Sequence, residues 1–233
     1  LNNIISGNRA EQANLFIGTG AGIYCLVSKT AVGDHLEDVL ILNNTFVGNT
    51  AIDLVFNKGG WGGAMAFDIL EERIVVANNI VAFNSSGIWK QQANALVPDL
   101  IRNNVFDNPE GAGTDYNYVN LLPGSTDISA SPLFVDKSGA DYRLQPTSPC
   151  IDNGDDTIPG LPVTDIDGNT RPQDGNFDGT ARIDIGAYEF SQCAGDKDGD
   201  GDVDGSDLVL WRINPGGITL RAFAASFGRD DCK

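Results

Sequence analysis

Short apolar runs alternate along the chain with a recurring polar phrase. Val39-Leu40-Ile41-Leu42, Ile74-Val75-Val76-Ala77 and Leu100-Ile101 each stand just before a pair of asparagines. The phrase reads Asn43-Asn44-Thr45-Phe46-Val47-Gly48-Asn49 in one copy and Asn78-Asn79-Ile80-Val81-Ala82-Phe83-Asn84 in the next. It opens the chain as Asn2-Asn3-Ile4-Ile5-Ser6-Gly7-Asn8 and returns, shortened, as Asn103-Asn104-Val105-Phe106-Asp107-Asn108. From Asn3 to Asn44, Asn79 and Asn104 the steps are 41, 35 and 25 residues. The apolar runs read as short strands, and residues 22–27 and 51–56 add further strand-like runs between phrases.

An asparagine accepts left-handed backbone angles and so suits a bend between strands. If successive turns of chain stack, amides at one level hydrogen-bond to their copies above and below, and the same residue recurs at the same place. One repeat cannot bury its apolar face alone, so neighbours must stack. The expected fold is mostly β, a parallel β-solenoid whose uneven steps reflect loops bulging from some coils. Residues 57–68 are the clearest such excursion. A β-sandwich would not repeat a seven-residue phrase at one strand end.

From about residue 130 the repeats stop. A solenoid end exposes unpaired strand edges and needs a cap. The Gly-, Pro- and Asp-rich stretch 152–184 supplies turns. Within it Asp165, Asp167, Asn169, Asp174, Asn176 and Asp178 are candidate oxygen ligands for one hard cation. The competing reading is that they cap their own turns. The pieces SPLFVD, DYRLQPTSPCIDNG, DIDGNTRP and DIGAYEF, all within 131–190, resemble the C-terminal coils and cap of secreted bacterial right-handed parallel β-helix proteins. That resemblance implies a β-helix domain over 1–190 with its cap at about 131–190, in a secreted or cell-surface protein. Many proteins of that kind have no assigned activity, and some distant β-helix relatives cleave or bind polysaccharides.

Residues 196–207, DKDGDGDVDGSD, form the sharpest motif. An EF-hand loop takes ligands from positions 1, 3, 5, 7, 9 and 12, with Gly at 6. Here these are Asp196, Asp198, Asp200, Asp202 (through its carbonyl), Asp204 and Asp207, with Gly201 at the turn and Val203 tying the loop to a core. Alternating acids in a tight loop repel unless a divalent cation neutralises them, and an all-oxygen set suits Ca²⁺ better than Mg²⁺. The closing Asp and the following Leu208-Val209-Leu210-Trp211 resemble a dockerin module. A dockerin carries two calcium loops, whereas this chain carries one. Leu220, Phe223, Ala224 and Phe227 lie at helical spacing within 218–227. The expected second unit, 191–233, is thus a small α-helical calcium-binding module.

Composition narrows the function. Lys+Arg is 15 and Asp+Glu is 32, a net charge of −17. Such a field repels nucleic acid and anionic membranes and attracts cations. No apolar run approaches a membrane span. His35 is the only histidine, which excludes chemistry needing two imidazoles. The sole methionine is Met65 and no signal-peptide pattern is present, so a processed product or a fragment is expected. Four cysteines without a CxxC allow three pairings. Cys193 and Cys232 bracket the small calcium unit, which has little core of its own, and their pairing is expected. Cys25 and Cys150 read as small buried residues. A disulfide and a calcium loop point outside the cell.

No specific catalytic constellation is visible. The leading expectation is a non-enzymatic, calcium-binding extracellular structural or adhesive protein of bacterial type. Its open first coil would allow a homo-oligomer or end-to-end fibre. The alternative is a polysaccharide lyase or hydrolase, or a carbohydrate-binding module. There Trp61 would stack on sugar rings of a cell-surface or extracellular polysaccharide.

Overall fold

Three parallel sheets close around one apolar core, because every second residue of each run points inward. The computed structural model describes residues 1–12, 20–27, 38–53, 58–59, 62–69, 73–91, 96–110, 114–176, 178–190, 195–197, 202–215 and 219–228. The first sheet sets Ile4–Ser6, Thr45–Val47, Ile80–Ala82 and Asn104–Phe106 side by side in that order. The second sets Val39–Leu42, Ile74–Ala77 and Asp99–Ile101. The third runs from Ile23–Val27 through Met65–Ile69 and Ile88–Lys90 to Tyr118–Val119. Phe46 and Val81 from the first sheet, Ile74 and Val76 from the second, and Phe67 and Ile88 from the third share the interior.

The outward positions of these strands are apolar as well. Val47, Ile80 and Ala82 pack on Phe134, Tyr142, Leu144 and Ile185. Leu42, Val75 and Ala77 meet Ile158 and Leu161. Strands buried on both faces read as continuous apolar runs, as Ile74–Ala77 does. Much of 131–190, expected as an end cap, therefore lies along the side of the stack. The first asparagine of each phrase helps to hold it there. Asn43 Nδ2 donates to Asp184 O at 2.9 Å, and Asn78 Oδ1 accepts from the Asp155 N–H at 2.8 Å. Asn2 Nδ2 donates to Thr164 O. All three sit at the bend with positive φ, at 51° for Asn2, 52° for Asn43 and 56° for Asn78.

The second asparagine of each phrase builds a ladder. Asn3 Nδ2 donates to Asn44 Oδ1 (3.0 Å), Asn44 Nδ2 to Asn79 Oδ1 (3.0 Å), Asn79 Nδ2 to Asn103 Oδ1 (3.0 Å) and Asn103 Nδ2 to Asp127 Oδ1 (3.1 Å). The last asparagines form a second column, from Asn8 through Asn49, Asn84 and Asn108 to Asn117, with Nδ2–Oδ1 distances of 2.7–2.9 Å. Asn44, Asn79, Asn84, Asn103 and Asn108 are all buried.

Two details correct the sequence reading. The fourth phrase is not shortened. Arg102, with φ 53°, takes the bend, and Asn103 takes the ladder, so the third step is 24 residues and not 25. The two ladders stand five residues apart in every copy, and that spacing aligns Asn103–Asn108 with Asn79–Asn84. The first column also runs one level further, to Asp127, which no Asn-Asn pair marks. Glycine is required where levels touch: a Cβ on Gly87 would lie 2.3 Å from Asn117 O.

Candidate metal centre

The carboxyl-terminal segment is built on a capped helix. Helix α1 (Gly205–Ile213) begins at Asp204, whose side chain accepts the Ser206 N–H at 2.6 Å. Asp207 completes a capping box by accepting the Asp204 N–H at 2.8 Å. Arg212 lies in the last turn, where a cation complements the helix dipole, and Pro215 follows the C-cap residue Asn214. Helix α2 (Leu220–Ser226) brings Phe223 against Val203, with Leu208 and Trp211 around them. The Trp211 and Phe223 ring centroids are 5.5 Å apart. Val203 is fully buried, and its carbonyl accepts the Gly228 N–H at 2.7 Å.

This packing gathers Asp202, Asp204 and Asp207. One carboxylate oxygen from each lies within 4.8 Å of the other two, and among the described residues this is the one acidic group close enough to hold a metal ion. Asp207 is wholly buried and also accepts the Lys197 N–H at 2.5 Å. Asp196 is half-buried. Asp198, Asp200 and Gly201 lie outside the described residues, as do Cys193, Cys232, Trp61 and His35. The three gathered carboxylates are hard oxygen donors, which fits a divalent cation of the Ca²⁺ or Mg²⁺ kind.

The other candidate ligands fall into two separate turns. Asp165 Oδ1 accepts the N–H groups of Asp167 and Asn169 at 2.9 and 2.8 Å. Asp174 accepts those of Asp178 and Gly179 at 3.1 and 2.9 Å, and Asn176 Oδ1 accepts that of Asp178 at 2.8 Å. These are Asx-type turns satisfied by their own backbone. Cys25 is half-buried and Cys150 fully buried; both are free thiols, and burial pushes Cys150 up to about 12.

Sequence reasoning missed a buried ionic cluster beside the stack. Arg171 Nη1 lies 3.1 Å from Glu189 Oε2, with both side chains almost entirely buried. Arg171 also donates to Asp184 O and Gly186 O, and Glu189 accepts the N–H groups of Gln173 and Asp184. Burial raises Glu189 to about 7 against the pull of Arg171, and lowers Arg171. Burial, then Glu189, raises Asp184 well above the usual carboxylate range. The only cue in the sequence was a Glu within the apolar closing run DIGAYEF.

These features define a mostly β protein of parallel sheets with an acidic triad able to hold a metal ion. No family model, curated protein or solved structure matches the chain. No helix among the described residues is long and apolar enough to cross a membrane.

Proposed function

We propose that the chain is a right-handed parallel β-helix with a single EF-hand, dockerin-like module at its carboxyl end, acting as a secreted, calcium-binding structural or adhesive protein. The observation that carries this reading is the pair of buried amide ladders, which tie successive levels into one stiff stack. Three sheets around one interior, returning in the same order at each level, support the helical winding, and crossovers between parallel strands are right-handed in nearly all proteins. Ca²⁺ suits the acidic triad because it accepts irregular all-oxygen shells, with Asp196, Asp198 and Asp200 completing the ligand set. Calcium at extracellular concentrations would then clip residues 195–228 into their folded form, helped by the Cys193–Cys232 disulfide. Isothermal titration with Ca²⁺ tests this. One site is expected, lost in Asp207→Ala, with chelator lowering the melting temperature of the module by several degrees and leaving the β stack in place. Absence of calcium binding in the oxidised chain would remove the reading.

A second reading is favoured by one observation. A cleft of about 590 Å³ is lined by Lys90 and Asp99 together with Leu100, Leu121 and Leu122. A base and an acid in one groove suit a polysaccharide-cleaving or sugar-binding site. Release of reducing ends from a glycan panel, abolished in Lys90→Ala, would favour this second reading over the first.

A further inference from the structure

Leu122 is 83% exposed, more than any other large apolar side chain among the described residues. The turn that carries it is fastened at both ends. Asn120, with φ 60°, opens the turn, and its Nδ2 donates to Lys90 O at 3.0 Å. The Gly124 N–H closes it on Asp127 Oδ2 at 3.1 Å, and a Cβ on Gly124 would lie 2.2 Å from Leu100 O. Leu121, between these ties, packs on the interior cluster. Leu122 is thus held out to water by a turn seated on the stack. It lines the 590 Å³ cleft with Leu100, Leu121 and Val97, the last of these 59% exposed.

Most of this lining is aliphatic or proline, and none of it is aromatic. The volume falls within the range of about 300–1,000 Å³ usual for small-ligand sites, which are mostly apolar with a few polar groups that fix orientation. A sugar ring carries a hydroxyl on most of its carbons, and each would lose water here with few groups to replace it. A hydrocarbon chain forfeits no hydrogen bond on entering and gains by leaving water.

The polar groups set the other end of the ligand. Lys90 follows Ile88 by two residues and pairs in register with Phe67, so its side chain leaves the strand on the inward face; the residue is 5% exposed. An ammonium offers three donors and no acceptor, and its hydrogen bonds to a carboxylate are strong where water is scarce. Asp99 is the one acid of the lining, and it accepts from Arg73 Nε at 2.8 Å while Arg73 Nη1 also reaches Asp38 at 2.8 Å. The Asp99 charge is therefore matched by a residue outside the lining, which leaves the cleft open to an anion.

We propose that the cleft binds a single-chain aliphatic carboxylate, with its head at Lys90 and its tail on Val97, Leu100, Leu121 and Leu122. Neither the calcium loop nor the amide ladders supply a contact, so the outcome is independent of the calcium-clipped rod. A glycan is the competing occupant of the same cleft.

The test is isothermal titration of the calcium-loaded chain with octanoate, decanoate and dodecanoate, each below its micelle concentration. Saturable one-to-one binding is expected, tightening roughly fourfold for each methylene buried. Decanol, with the same tail and no charge, is expected to bind at least tenfold more weakly than decanoate, and Lys90→Gln to remove that difference. Leu122→Asp, at an exposed position the fold does not need, is expected to weaken decanoate at least tenfold. Urea unfolding checks that both variants keep the stack. No saturable binding, equal affinity along the chain-length series, unchanged affinity in Leu122→Asp, or binding of neutral oligosaccharides in place of the acids would overturn the proposal.

Discussion

Asn79 shows how much a single amide carries. Its side chain is completely buried and donates to Asn103 Oδ1, Ile41 O and Ala77 O, while its oxygen accepts two N–H groups from Asn44. Truncation leaves several buried polar groups unmatched, each costing roughly 1–3 kcal/mol. Asn79→Ala is therefore expected to lower stability by about 3 kcal/mol in urea unfolding, and Asn3→Ala at the exposed end by less than about 1 kcal/mol. Similar losses at both positions would mean that the column adds nothing beyond a surface contact. This residue-level logic was largely legible in the sequence, because an amide that must meet its own copy recurs. What stayed hidden was the place of residues that serve the column without being asparagine pairs. Arg102 replaces the bend asparagine and Asp127 replaces the last rung, since a bend needs backbone angles and a final rung needs only an acceptor.

At the scale of elements, segment 150–190 behaves as a wall fastened to the sheets. Its fastening includes the Arg171–Glu189 pair, and this sets a pH dependence. Glu189 keeps its proton to about 7 in the folded chain, against an ordinary value of 4.5. Between those values the folded chain holds a proton that the unfolded chain has released, so stability falls as pH rises from 4.5 to 7 and levels off above. Asp184, also raised, acts in the same direction. Asp141, lowered by Arg143, acts below this window. With calcium saturating, the urea midpoint is expected to be higher at pH 5 than at pH 7.5. Glu189→Gln, which mimics the protonated acid at every pH, should flatten that slope. An unchanged slope in the variant would place the titrating group elsewhere. None of this was readable in advance: an ion pair across eighteen residues of turns leaves no periodic trace. Helix α1 is the opposite case. The run Leu208-Val209-Leu210-Trp211, expected as helical from its likeness to a dockerin, lies inside it, while the capping roles of Asp204 and Asp207 were hidden behind their reading as cation ligands.

For the whole molecule, the stack is close to one-dimensional, with each level resting on its neighbours. Protection should then follow position. Amide exchange is expected to be slowest at Ile80–Ala82, which has strands on both sides, and fastest in that sheet at Ile4–Ser6. A uniform profile would instead indicate one cooperative unit with no gradient from centre to edge. At this scale the sequence displayed the levels but not the wall beside them. Repetition reports what touches its own copy, whereas 131–190 touches the stack from outside and obeys no repeat.

The columns also have a direction. Every rung from Asn3 to Asn103 sends an amide hydrogen to the oxygen of the next level, so these side-chain hydrogen bonds all run in one direction along the column, as the peptide hydrogen bonds of a helix do. The positive pole of such a series favours an anion, and Asp127 occupies that pole, as an acidic N-cap does on a helix. The asparagine column is thus electrically polar along its axis, with its positive pole met by the chain's own Asp127 carboxylate.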